Sequence, residues 1–531
     1  MSDVVDDATS GPTDHDSTAG RALRRRAGGR AAHERSRLPP QRPWAQPRMS
    51  YHPTEILSAD EIESIHQASL RVLSELGMDF LDADAREALK AAGAETSPDT
   101  QRVRFDPDFV NETIKTAPSS FTLHAWNPDH DLQIGGDWLA FGTVGSPPNV
   151  SDLDRGRRIG NREDYQNLLR LGQALNAVHF LAGYPVEPVD LHPGVRHLHA
   201  THDALTLMDK AIHCYSLGRQ RNIDVLEMVR IARGIEDAQL DDEPSVFTVV
   251  NSSSPLRLDA PMLQGVMAFA ERNQVVCITP FTLAGAMAPV TLAGALAEQN
   301  AEALAGMVMT QVVRKGAPVI YGGFTSNVDM QSGAPAFGTP EYMRTAMIGG
   351  QLARRYGVPY RSSNVNAANA LDAQAAYESV FSLWGAIMGG VNLLMHGAGW
   401  MEGGLHASYE KMVLDAELLG MVESFLEPVV VDDASLAFEA MQDVGPGGHF
   451  FGTEHTQSRY RTAFHKPMLS DWRNFETWEE AGSPEVPGKA NRIWKELLAA
   501  YAPPPMDPAI REELDAFVER RVAEGGVPTD Y

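Results

Sequence analysis

The chain is predicted to fold as an α/β protein: a (β/α)8 (TIM) barrel with an N-terminal α+β lead-in and a C-terminal helical extension. Three observations carry this expectation. Beyond about residue 160, short β-branched or apolar runs alternate with amphipathic helical stretches, which implies parallel strands joined by right-handed crossovers. Eight such units fill roughly 290 residues, the size of a closed barrel. A doubly wound sheet, the competing architecture, normally carries a Gly-rich phosphate loop after its first strand. None stands out here, and the glycines of "DVGPGGHFFG" precede an expected strand instead of opening a helix.

The elements follow in chain order. Residues 1–48 open acidic and Ser/Thr/Gly-rich, then turn Arg/Pro-rich. Their apolar surface is too small to offset the entropy of ordering, so a disordered tail is expected. Residues 49–160 form the lead-in, packed on the barrel. There "SADEIESIHQASLRVLSELG" begins with Ser58 and Glu61 at capping-box spacing, and Ile62, Ile65, Leu70, Val72 and Leu73 recur at roughly helical intervals. The stretch "FTLHAWNPDHDLQIGGDWLAFGT" alternates around Asn-Pro and Gly-Gly turns and reads as short antiparallel strands. The barrel spans 161–466, with strands at 179–186, 211–218, 245–254, 274–281, 318–326, 359–366, 392–400 and 448–456. Residues 467–531 form the extension. In it Trp472, Phe475 and Trp478 are expected to dock on the barrel, and a charged helix starts near Asp507.

Composition narrows the function classes. The 531 residues are 43% hydrophobic and carry a net charge of −25, which argues against nucleic acid as a partner. Two cysteines, Cys214 and Cys277, cannot build a disulfide framework or a cysteine-rich zinc site. No apolar run reaches the roughly 18 residues of a membrane span and no secretory signal is evident, so a cytoplasmic, non-membrane protein is expected. The histidines of "HPGVRHLHATH" lack the i, i+4 pairing of a helical zinc motif, and no metal is expected there.

In a barrel, polar and aromatic residues at the C-terminal strand ends mark the active mouth. His213 and Tyr215 close the second strand, Asn251 and the following serines the third, and Phe281 the fourth. Tyr321 and Phe324 lie on the fifth. Asn364 and Asn366 follow the sixth, His396 and Trp400 the seventh, and Glu454 and His455 the eighth. Converging rings would attract a quaternary ammonium group, by about 0.5–2 kcal/mol each. Each ring taken singly is equally well read as ordinary packing. Glu410 and Ser408 sit where a helix begins, which gives them a capping reading as well.

Four blocks carry a more specific signal: "LSELGMDF", "YGVPYRSSNVNAANALDAQAAYES", "LMHGAGWMEGGLHASYEKMVLDAE" and "GPGGHFFGTEHTQSRYR". In these blocks, from about Ser58 onward, the chain resembles the trimethylamine methyltransferase family of corrinoid-dependent enzymes. The resemblance implies transfer of an N-methyl group from an amine in the barrel mouth to the Co(I) corrinoid, a cobalamin, of a separate partner protein. The cobalamin is not expected to be held by this chain, which lacks the D-x-H-x-x-G pattern of a cobalamin-binding domain. Trimethylamine-specific members carry pyrrolysine, whereas this sequence contains standard residues only. A quaternary amine such as glycine betaine or a related betaine is therefore favoured. The alternatives are a trimethylamine-type substrate, a barrel lyase or hydrolase, and a non-catalytic betaine-binding protein. In this reading Tyr215, Phe281, Tyr321 and Trp400 cage the ammonium. Arg361, Asn364, Asn366 and His396 hold a carboxylate, with Asn251 also binding substrate. His396 and Glu402 are the catalytic candidates, Glu410 and His455 face the corrinoid partner, and a homo-oligomer is expected.

Overall fold

Seven short runs of small, β-branched and aromatic residues pair into one all-parallel sheet. They are β1 (Ala140–Thr143), β2 (Ile212–Tyr215), β3 (Val246–Val250), β4 (Val275–Ile278), β5 (Val319–Gly322), β6 (Tyr360–Ser363) and β7 (Leu393–Ala398). Their spatial order is β1-β7-β6-β5-β4-β3-β2. Successive strand residues face opposite sides, and the burial follows that parity. Ala140, Ala211, Phe247, Val275, Cys277, Ile320 and Leu393 share one apolar cluster on the inner face. Phe141, Val246, Val276, Val319 and Leu394 join a larger core under the surrounding helices. The structure, a computed structural model, describes residues 38–528. Residues 1–37, most of the expected tail, lie outside the described residues, and those from Gln41 onward form one compact unit.

Two of the eight expected strands take another form. Residues 179–186 contribute no strand, but Phe180 makes parallel single-residue bridges to Gly142 in β1 and to Ala211 just before β2. Residues 448–456 are not extended at all. They form a 3-10 turn (Phe450–Gly452) and a short helix (Glu454–Arg459), because the Thr453 hydroxyl accepts the Thr456 N–H as an N-cap. The edge position next to β7 is taken by β1, out of the lead-in, with Ala140 paired to Leu393. The expected antiparallel hairpin exists beside it, as Ser120–Leu123 against Leu132–Gly135.

The helices cover the outer face: α1 (Pro193–Leu207), α2 (Arg219–Arg233), α3 (Leu292–Val313), α4 (Ala373–Met388), α5 (Tyr409–Leu426) and α6 (Pro508–Ala523). The Ser58–Glu61 capping box is present. Asp372 and Ser408 cap α4 and α5. The charged helix α6 buries Leu514, Phe517 and Val518 against α1 and α2. Two local expectations need correction. Residues 41–48, read as tail, are tied down: Gln41 bonds Ala174 and Asn176, and Trp44 packs edge-on against His130 and His179. Trp472 and Phe475, read as docking residues, are largely exposed. Their segment is tied to α5 through Met468 and Ser470, which donate to Glu417, but the two rings themselves stand in solvent.

Candidate functional site

The turn after β7 is where the sheet departs from regular pairing. Between Leu394 and Ala398 β7 advances four residues while its neighbour β1 advances two, from Phe141 to Thr143. This bulge puts His396 at φ +56°, a conformation rare outside glycine. Bulges of this kind re-aim a side chain next to a site. Gly397 follows because a Cβ there would lie 2.7 Å from the Gly142 carbonyl oxygen. The His396 ring stacks on Trp400 at 5.4 Å and 17°, and its Nδ1 lies 3.1 Å from the Ser363 hydroxyl.

His396 and Trp400 face a cavity of about 390 Å³ at the C-terminal end of the strands. Six of the expected residues line it together: Tyr215, Asn251, Phe281, Arg361, His396 and Trp400. Phe324 completes the aromatic wall, 5.0 Å from Phe281, 6.1 Å from His396 and 6.3 Å from Trp400. The Tyr215 hydroxyl is held 2.6 Å from that of Ser146 and accepts the Tyr184 N–H at 2.8 Å. Burial pushes its pKa up, so it stays a phenol.

The deep end of the cavity is electrostatically incomplete. Arg361, on β6, is 2% exposed, lies over the Phe324 ring at 5.2 Å and donates one long bond to the Gly323 carbonyl at 3.4 Å. Its Nε has no partner among the described residues. Burial lowers its pKa, yet a guanidinium keeps its proton. A buried cation without a counter-charge is costly. His213, 7% exposed, accepts the Val249 N–H at Nε2, so its proton sits on Nδ1. That Nδ1 also lacks a partner. Burial first, then Arg361, lowers the His213 pKa to about 3. The same two causes, joined by His213, hold His396 well below the ordinary histidine range. The floor therefore presents one fixed cation and two neutral imidazoles, with unsatisfied donors on Arg361 and His213.

The remaining expected residues are placed elsewhere. Tyr321 is on the outward parity of β5; its hydroxyl donates to Asn300 and accepts from Gln299 under α3. Asn364 and Asn366 are fully buried and donate to the Gly397 and Trp400 carbonyls at 3.0 and 2.8 Å, bracing the turn instead of lining the cavity. Glu402 pairs with Arg157 at the rim, at 2.9 Å. Glu410 accepts from Leu153, Asn491 and Trp494, tying down helix Val486–Ala500. It faces the interior, not a partner. His455 lies in a different hollow with Asp433 and Arg459. The histidines of α1 also disperse, with His197 on Asp224 and His202 on Asp515. His213 is the residue whose weight the sequence reading missed. Its parity with Tyr215 on the inner face of β2 was the available signal.

The sequence pattern described as "Trimethylamine methyltransferase (MTTB)" matches residues 23–526, beginning upstream of Ser58. The chain belongs to the trimethylamine methyltransferase family. It is 37% identical over 472 residues to a glycine betaine methyltransferase of Desulfitobacterium hafniense strain Y51, covering 89% of this chain and 98% of that relative. It is 28% identical to the trimethylamine methyltransferase MttB of strain DCB-2 of the same species, covering 88% and 94%. The solved monomethylamine methyltransferase of Methanosarcina barkeri overlays with a TM-score of 0.47 at 12% identity, covering 86% of this chain and 92% of that one. As a trimethylamine methyltransferase family member, the chain is a methyltransferase, and no helix among the described residues is long and apolar enough to cross a membrane.

Proposed function

We propose that the chain transfers a methyl group from a quaternary amine that also carries a carboxylate, glycine betaine or a related betaine, to the corrinoid of a cognate partner protein. The observation that carries the reading is the buried Arg361, without a counter-ion among the described residues, beside the His213 Nδ1–H, which has no partner among them either. A carboxylate would complete both donors, at about 1.5–3 kcal/mol for a bond to a charged group. Trimethylamine has no group to place there. The relative named for glycine betaine is also the more similar of the two described.

Depth sets the orientation. Arg361 and His213 are second residues of their strands, whereas Tyr215, Phe281 and Trp400 lie at or beyond strand ends. The carboxylate then sits at the floor and the ammonium among the rings, its N-methyl groups toward the mouth. A quaternary nitrogen leaves as a neutral tertiary amine, so no general acid is required. The residues' work is to orient one methyl and keep water out. The corrinoid would supply the methyl acceptor at the mouth; a cavity of about 390 Å³ fits a small betaine but not a corrin ring. We also propose that Phe180, bridging both edge strands, serves as the eighth stave of a closed barrel.

The test is steady-state transfer to reduced corrinoid protein, read in its ultraviolet–visible spectrum. Betaines should turn over, choline and trimethylamine poorly, and Arg361→Gln should lose roughly 100-fold in kcat/KM. Trimethylamine turning over faster than any betaine would overturn the substrate. Substrate loss without corrinoid would indicate a lyase or hydrolase, and binding without turnover a betaine receptor.

A further inference from the structure

One wall of the cavity has a buried acid behind it. Beyond β3 the chain turns along the rim at 251–256, and Asn251 and Ser252 line the cavity there. Behind the turn lies Glu302, in the middle of α3 and 1% exposed. Its Oε2 accepts from the Ser252 and Ser254 hydroxyls and its Oε1 from the Leu256 N–H. A single hydrogen bond, that of Ser252, joins the cavity wall to the carboxylate.

This acid has no cation for a partner. Burial raises its pKa and the three donated bonds lower it, and no positive charge among the described residues acts on it. One turn earlier on α3, Glu298 has a buried Oε1 without a partner among the described residues. Burial, and then the charge of Glu302, raises the Glu298 pKa to about 7. Of two adjacent carboxyls, the one that receives the hydrogen bonds ionises first. Glu302 therefore holds the negative charge and delays the ionisation of Glu298. A charge shielded from water is screened far less than an exposed one, so its field reaches into the cavity.

The two unbalanced charges are placed to complement a zwitterion. Arg361 is on β6, whereas Glu302 stands behind the turn that follows β3, with β5 and β4 between those strands. Arg361 is the second residue of its strand; Ser252 lies beyond the end of its own, as Phe281 does. A ligand spanning the cavity meets positive charge at the floor and negative charge behind the rim.

We propose that Glu302 determines specificity by supplying the counter-charge for the substrate's quaternary ammonium, acting from behind Ser252 without touching the ligand. The inference rests on the betaine reading above and deepens it: Arg361 selects the carboxylate and Glu302 the positive nitrogen. The aromatic rings attract a cation but also pack against any apolar group of the same shape. A buried anion distinguishes charge alone. The competing role is a brace for the turn at 251–256. A glutamine amide would brace it equally, because both serine hydroxyls can accept from its NH2 group and its carbonyl can accept from Leu256. Glu302→Gln thus removes the charge and keeps the brace.

Equilibrium binding to the full chain tests this, by calorimetry with ligand pairs of one shape and different charge. Glycine betaine is paired with tert-butylacetate, in which carbon replaces the quaternary nitrogen, and choline with its carbon isostere. In Glu302→Gln, affinity for glycine betaine should fall roughly tenfold while that for tert-butylacetate holds, with an unchanged circular dichroism spectrum. Ser254→Lys should neutralise the carboxylate in place and give the same selective loss, and it is read alone if the glutamine variant does not fold. Equal weakening of both members of a pair would identify a brace, and unchanged affinity for both a screened charge; either overturns the proposal. The choline pair separates this inference from the betaine reading. Wild type binding choline as tightly as glycine betaine would sink the carboxylate role of Arg361, while loss of choline but not of its isostere in Glu302→Gln would still support Glu302. A wild type that binds none of the four overturns both.

Discussion

Arg361 and His213 make opposite contributions to the same floor. Arg361 supplies charge and its loss should act on kcat/KM as a whole. His213 supplies one neutral donor whose direction is fixed by the Val249 N–H. Replacing it with Phe should raise KM for a carboxylated amine roughly 3–10-fold with little change in kcat, the worth of one neutral hydrogen bond; steady-state kinetics on the purified variant measures this. The pH profile adds an independent check. His213 titrates at about 3 and His396 also well below the ordinary range. The His213 imidazole is therefore neutral in the folded enzyme from about pH 5 upward, and burial favours the neutral form of His396 in the same direction. KM should stay flat between pH 5 and 8, and a rise with an apparent pKa near 6.5 would show an exposed, titrating histidine. Tyr321 teaches the complementary lesson. One position of strand parity separates a cage residue from a wall residue, and Phe324, on the other parity of the same segment, holds the place expected of Tyr321.

The β7 turn and α5 behave as a single element. Gly399 N–H donates to Asp415 at 2.8 Å, Lys411 Nζ bonds Asp415 at 2.5 Å and the Ser379 hydroxyl at 2.8 Å, and both charges are fully buried. Burial lowers the Lys411 pKa and raises that of Asp415, so the pair stands by mutual attraction. Lys411→Met would leave the carboxylate buried and alone, costing about 3–5 kcal/mol in urea unfolding. A Lys411→Met/Asp415→Leu double variant should recover most of that while still losing activity, because the anchor for Gly399 and hence the aim of His396 would be gone. The cap of α5 was readable from Ser408 alone, since capping is a local hydrogen bond. The bulge was not readable, because it depends on what β1 offers as a neighbour.

At the scale of the molecule, one buried acid sets a pH dependence of stability. Glu423, on α5 beside His179 and Arg42, has its pKa raised to about 7 by burial. The unfolded carboxyl titrates near 4.3. Between those values the folded chain holds a proton that the unfolded chain has released, so stability falls as pH rises from about 4.3 to 7 and the full cost persists above. Glu423→Gln should therefore gain on wild type by about 2–3 kcal/mol between pH 4.5 and 7.5, measured by denaturant unfolding at the two pH values. A constant difference would place Glu423 in solvent. The sequence by itself determined the family, the alternation of strands and helices, the helix caps and the collection of His396, Trp400, Tyr215 and Phe281 at or beyond strand ends. All of these are written in motifs or in periodicity over a dozen neighbouring residues. Only the tertiary structure decided that Ala140 pairs with Leu393, that Phe180 spans the sheet edges, that Glu410 and Asn364 brace while Arg361 faces the cavity, and that Trp472 stands in solvent. Each of those outcomes depends on which distant surface arrives opposite, and chain-local propensity carries no record of that.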